Sequence, residues 1–397
     1  MESIFFKIPD LGEKILKELD NQSLVKSKEV RRSWYNFINE EKVLWIRIIQ
    51  KCISDVDIYS IAWRKVLTKA SIEFVIHVAL ATQQYHAKYE IRVQYSPISV
   101  AASDGNLDFY KQTLVKLDDM NQNNILGNVH PLLLAAENGQ FEICKFIIEN
   151  LDDKIPARHD GVTPLYMAAQ NGHDEICKLI ISNVNEKNPA RPNGATPFHV
   201  AAENGHYEIC KLIISNVDEK NPAMHDGLTP LFIAAQRGHF EICKLIVANV
   251  DDKNPAKIEG GTALHLAAEK GQFDIFKLIF ESLASDYNKN PRMYGGHTPF
   301  HVAARNGHLE ICKIILEDLD DKSPANDFGW TPLHCAAKNG HLEIFNLISE
   351  NVTVKNPKTN DGVTPQELLA EYCQRFILKA NISISGLIWT WLKNFWK

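Results

Sequence analysis

Apolar positions come in short paired runs along most of the chain. From residue 164 the order is Pro-Leu-Tyr-Met-Ala-Ala, then a polar Gln-Asn-Gly-His-Asp-Glu break, then Ile-Cys-Lys-Leu-Ile-Ile ending at 181. Ile176, Cys177, Ile180 and Ile181 stand at i, i+1, i+4 and i+5, one apolar stripe of a helix. In the run before it, Thr163 is placed to cap a helix whose first position is Pro164, where a missing N–H costs little. Ala168 and Ala169 are small enough for neighbouring helices to approach closely. Gly172 supplies a left-handed stop. The pattern predicts two helices per unit, and Asn188-Pro189-Ala190 opens the turn that follows.

This pattern returns every 33 residues from about 128 to 360. His173/Cys177, His206/Cys210, His239/Cys243 and His308/Cys312 mark it, as do Thr-Pro pairs beginning at 163, 196, 229, 298, 331 and 364. Units start near 94, 127, 160, 193, 226, 259, 295 and 328, with a partial ninth from 361. The first is degenerate, and the second has His130 where Thr is expected. The sixth carries three extra residues, placed in the loop from Ser282 to Arg292. A fixed period of this size means stacked supersecondary units that grow without enlarging one core. Such an array is mostly surface, which points to binding before catalysis.

The repeated Gly-x-Thr-Pro-Leu-x-x-Ala-Ala-x-x-Gly-His resembles the ankyrin repeat over residues 94–380. That resemblance implies an all-α solenoid of helix-turn-helix units with β-turn fingers, whose concave face holds a protein partner. Val184-Asn185-Glu186 and its counterparts replace the family's usual Gly-Ala-Asp, so Asn183, Asn216 and Asn249 are expected to take the left-handed turn. Finger tips vary while the frame stays constant, as a recognition surface requires. Candidate target-binding residues are Arg158, His159, Arg191, Met224, His225, Lys257, Arg292, Tyr294, Phe328 and Trp330. The competing reading is that exposed loops simply drift.

Composition narrows the function. The formal charge of −6 and pI near 6.2 give no global basic field for nucleic acid. Cys144, Cys177, Cys210, Cys243 and Cys312 share one helical position that Phe276 and Phe345 fill elsewhere, so they read as buried packing residues in a reducing compartment. The His-x-x-x-Cys spacing would suit two metal ligands on a helix face, but its repetition with the frame argues for a structural His. No Cys-x-x-Cys, Walker loop or nucleophile elbow is present. The chain reads as a non-enzyme without cofactor or metal, cytoplasmic or nuclear, with no secretory signal.

Residues 1–50 stand outside the period. Ile8-Pro9-Asp10, Ile15-Leu16 and Leu24-Val25 through Val30 to Trp34 predict three short helices with little core of their own. Over residues 4–48 the order Ile-Pro, Ile-Leu-x-x-Leu-Asp, Leu-Val-x-x-x-x-Val-x-x-x-Trp resembles an F-box. Members of that family dock on the Skp adaptor of a cullin–RING ubiquitin ligase and present a target through a second module. Carried over, the adaptor face comprises Ile8, Pro9, Ile15, Leu16, Leu24, Val25, Val30 and Trp34. The alternative is a three-helix cap on the array. Residues 51–93 read as a helical linker. Residues 381–397, with Trp389, Trp391 and Trp396, read as a cap on the last repeat, with membrane-interface contact the lesser alternative. Together these features anticipate a substrate receptor of a Skp–cullin–F-box ligase; the other reading is an ankyrin scaffold that sequesters its partner.

Overall fold

The computed structural model describes residues 97–116, 130–150, 156–284 and 288–379, together with Phe74, Val75, Val78, Ala79 and Ala81. Ile8, Pro9, Ile15, Leu16, Leu24, Val25, Val30, Trp34 and the 381–397 tail lie outside the described residues, as does most of the expected linker. Among the described residues there is no strand, in keeping with the all-α expectation. The chain divides into two units after Arg158.

The first unit contains α1 (Pro97–Asp104), α2 (Leu107–Lys116), α3 (Pro131–Glu137) and α4 (Phe141–Asn150). They form two helix pairs, with α1 packed on α3. Phe74 is buried in a helical segment and meets the Phe109 ring edge-on at 5.2 Å. His130 does the work expected of Thr: its Nδ1 accepts the Leu132 N–H at 3.1 Å, covering an orphan amide of α3.

The second unit repeats this pair. Its first helices are α5 (Pro164–Asn171), α7 (Pro197–Asn204), α9 (Pro230–Arg237), α11 (Ala263–Lys270), α13 (Pro299–Asn306) and α15 (Pro332–Asn339). Its second helices are α6 (Asp174–Asn183), α8 (Tyr207–Ile214), α10 (Phe240–Val247), α12 (Phe273–Ser282), α14 (Leu309–Asp318) and α16 (Leu342–Asn351). First helices stack on first helices and second on second, giving two layers. The Ala-Ala pair of each first helix is fully buried, which permits the close stacking the small side chains predicted. The cysteine column and Phe276 are fully buried and Phe345 nearly so, as an apolar packing position should be. A final α17 (Pro365–Lys379) runs 15 residues, because Cys373 stands where the complete units have the glycine that stops the first helix.

Helix ends follow local chemistry. Thr163 caps α5 and accepts the Tyr166 N–H at 3.2 Å. Asn188, Asn221 and Asn290, which precede the loop prolines, each accept a second orphan N–H, from Phe198, Leu231 and Phe300 at 3.0, 3.1 and 3.2 Å. Gly172 takes φ 77°, left-handed as predicted. The expectation for Asn183 is corrected. It is the last residue of α6, and Val184 follows in extended backbone at φ −122°. Its amide instead donates to the Leu179 carbonyl at 2.9 Å, and Asn216 and Asn249 do the same to Leu212 and Leu245 at 2.8 Å. A side chain covers an orphan carbonyl, so no backbone reversal is needed. In the sixth unit α12 ends at Ser282 with Leu283 as its cap, and residues 285–287 of the expected loop lie outside the described residues.

Candidate recognition face

The fingers between helix pairs are bonded to one another through the backbone. Met224 N–H donates to the Leu228 carbonyl at 2.8 Å and closes one finger. The Ile258 amide then reaches Asp226 O at 3.2 Å, Tyr294 reaches Glu259 O at 2.9 Å, Asp327 reaches Gly295 O at 3.2 Å and Asn360 reaches Phe328 O at 3.1 Å. Neighbouring tips are therefore held in a fixed row whatever side chains they carry.

Within most fingers a carboxylate or amide locks the turn. Asn193 and Asp226 accept the N–H two residues ahead, at 3.0 and 3.1 Å. Phe328 occupies that position in a later finger and cannot accept. Asn326, only 6% exposed, takes over: its Oδ1 accepts from Phe328 N–H at 3.0 Å and from Trp330 N–H at 2.8 Å. The transfer frees Phe328, which is 60% exposed. On the two preceding fingers Tyr294 is 87% and Ile258 76% exposed. Large apolar side chains are thus exposed on three consecutive fingers of the row.

The other candidates are placed differently. Arg191 is half-buried: its guanidinium lies 5.1 Å from the Tyr166 ring centroid, and it bonds the Tyr166 hydroxyl at 3.3 Å and Asp160 Oδ2 at 3.4 Å. Lys257 stands 5.9 Å over the Phe232 ring and 3.3 Å from Glu259. These two cations fasten one repeat to the next. Arg292 is exposed, 3.9 Å from Asp327. His159 and His225 are exposed, Arg158 and Met224 half-buried, and Trp330 half-buried beneath Lys338.

Four buried histidines escaped the sequence reading: His199, His265, His301 and His334, all at the third position of a first helix. In His199, Nδ1 accepts the Thr196 N–H at 3.1 Å, while Nε2 lies 3.2 Å from the Leu228 carbonyl of the next finger. A carbonyl only accepts, so the proton sits on Nε2 and the ring is neutral. Burial lowers the pKa of His199, His265 and His301 to about 4, and that of His334 in the same direction. The signal was available, because His recurs in one column; its partners were not, since they come from the following repeat.

The Gly-His histidines also bond within the frame. His206, His239, His308 and His341 place Nε2 within 3.0–3.2 Å of a carbonyl on the preceding first helix: Gln170, Glu203, Glu269 and Arg305. Burial pushes the thiols of Cys144, Cys210, Cys243 and Cys312 up to about 12, so they are poor metal ligands as they stand. Among the described residues no group of three His, Cys, Asp or Glu is arranged to hold a metal ion, and no helix is long and apolar enough to cross a membrane.

This architecture agrees with comparison to known families. A family model described as ankyrin repeats (3 copies) matches over residues 98–191, 132–222, 198–291 and 281–361, overlapping stretches that together span more than half of the chain. No curated protein matches it. Ankyrin repeats mark a scaffold for protein–protein interaction, and the chain belongs to the ankyrin-repeat family.

Proposed function

We propose that the chain is a substrate receptor of a Skp–cullin–F-box ubiquitin ligase, acting in the cytoplasm or nucleus. The finger side of the second unit takes the target protein, and the F-box-like residues from Ile8 to Trp34 take the adaptor. The observation that carries the target-binding half is the division of labour in the fingers. Backbone bonds and buried Thr, His and Asn side chains hold the row, which leaves Ile258, Tyr294 and Phe328 free to face a partner. The adaptor-binding half is supported by the residue order within 4–48. Such a receptor performs no bond chemistry; it raises the local concentration of target lysines at the conjugating enzyme. The second reading, a sequestering scaffold, uses the same face without the adaptor.

Co-purification with the Skp adaptor and cullin separates the two. The receptor reading predicts capture of the wild-type chain and its loss in Leu24→Asp/Trp34→Ala with the array still folded. Failure of the wild type to bind at micromolar concentration and low salt leaves the scaffold reading.

A further inference from the structure

One end of the recognition face differs from the rest in charge. The residue after the paired alanines is Gln170, Glu203, Gln236 and Glu269 in α5, α7, α9 and α11, then Arg305 in α13 and Lys338 in α15. The earlier positions are neutral or acidic, and Glu203 is already paired with Arg237. The two later cations meet aromatic residues in different ways, one over a ring face and one at ring nitrogens. Lys338 Nζ lies 4.8 Å from the Trp330 ring centroid, and Arg305 Nη2 lies 3.3 Å from His297 Nδ1. Between them opens a cleft of about 300 Å³, bounded by His297, Arg305, Phe328, Trp330, Cys335 and Lys338 together with Asn326 and Asn339. No carboxylate lines it. The acid of the same finger, Asp327, lies 3.9 Å from Arg292.

The composition of this cup selects its ligand. Two cations lining one cleft with Phe328 and Trp330 suit a carboxylate with an apolar neighbour, since the rings and aliphatic stems offer apolar contact beside the charges. A polyanion such as nucleic acid needs a row of cations along its backbone. The exposed acids along the finger row, Asp226, Glu259, Asp327 and Asp361, would repel it. The volume is that of one or two side chains, not of a folded surface.

We propose that the cup formed by Arg305, Trp330, Lys338 and Phe328 binds a segment of a protein partner that presents a single Asp or Glu beside an apolar residue. Arg305 and Lys338 hold an Asp or Glu carboxylate, and Trp330 and Phe328 receive its apolar neighbour. The proposal rests on the reading of the finger side as protein-binding and adds where on that side the partner is anchored and what chemistry it presents.

The test is selection of displayed random 16-residue peptides on the full chain, followed by anisotropy titration of the enriched peptides. The proposal predicts enrichment of Asp or Glu next to an aromatic or aliphatic residue. It predicts at least about tenfold weaker binding to Arg305→Glu/Lys338→Glu and unchanged binding to Lys178→Glu, an exposed second-helix control. Peptides with Asp and Glu replaced by Lys should bind the charge-reversed variant better than the wild type, which also shows that this variant is folded. Peptides that lack acids, or that ignore the charge reversal yet are lost in Ile258→Ala/Tyr294→Ala, would overturn this proposal and leave the finger-side reading standing. Binding insensitive to every finger-side substitution would overturn both. Equal binding of a double-stranded oligonucleotide with the same charge dependence would show a general anion patch and overturn the peptide assignment.

Discussion

Arg191 lies over the ring of Tyr166 on the preceding repeat, 5.1 Å from its centroid, with a further bond to its hydroxyl at 3.3 Å. Lys257 repeats the arrangement over Phe232 at 5.9 Å. Where the same first-helix position is His, at 199, 265, 301 and 334, the next finger has Met224, Met293, Asn326 or Thr359 in place of a cation. The alternation has a physical cause. Histidine ties the next finger through Nε2–H to a carbonyl, whereas Tyr and Phe have no such donor at that place and are tied by a stacked cation instead. Arg191→Ala should therefore cost about 0.5–1 kcal/mol. A double-mutant cycle with Tyr166→Phe and Tyr166→Ala should show coupling of similar size; additive effects would remove the staple.

The buried histidines set an acid limit. Their folded pKa of about 4 lies below the ordinary 6.5, so the unfolded chain binds more protons between these values. Stability is then complete above pH 6.5 and falls as pH drops toward 4, by roughly 2 kcal/mol per histidine at pH 5. Thermal melts of wild type and His301→Leu, the latter mimicking Leu133 of the second repeat, should show the variant less stable at pH 7.5 but with a shallower decline to pH 5. Parallel declines would mean that His301 is not a titrating group.

Gly172 is constrained twice. Its φ of 77° suits glycine, and a β-carbon there would stand 2.6 Å from Cε1 of His206 on the next repeat. Gly205 and His239 repeat the relationship at 2.8 Å. Gly172→Ala should destabilise by about 1–3 kcal/mol. Gly172→Ala/His206→Ala should cost less than the sum of its parts, because removing the ring relieves the contact but not the backbone strain. Simple additivity in chemical denaturation would show that the two residues do not meet.

The cysteine column should be inert. Cys144, Cys177, Cys210, Cys243 and Cys312 are fully buried, whereas Cys373 is only partly covered. Alkylation of the native protein with mass-spectrometric readout should label Cys373 before any cysteine of the column, which stays protected until the array unfolds. Early labelling of Cys210 would contradict the packing described.

What could be read from the chain was what depends on near neighbours in sequence. Thr163-Pro164 and Gly172 mark the ends of α5 by local backbone chemistry, and both were legible. The Asn183 turn was misjudged because the same residue can close a helix by its side chain. The His199 bond to Leu228 and the Arg191 stack on Tyr166 join residues 29 and 25 positions apart, and they exist only once repeats are stacked. The cup at Arg305 and Lys338 was missed for the same reason: its walls come from two repeats. Phe328 was legible as a tip residue, whereas the buried Asn326 that lets it face outward was not.

The claim that the fingers, not the second helices, recognise a protein is tested most directly by site-specific photo-crosslinking. A photoreactive phenylalanine placed at Tyr294 is compared with one at Asn346, exposed on α16. The account predicts a discrete, saturable protein adduct from position 294, competed by unlabelled wild-type chain, and none from 346. Adducts from 346 alone would contradict it and move the recognition surface to the opposite layer.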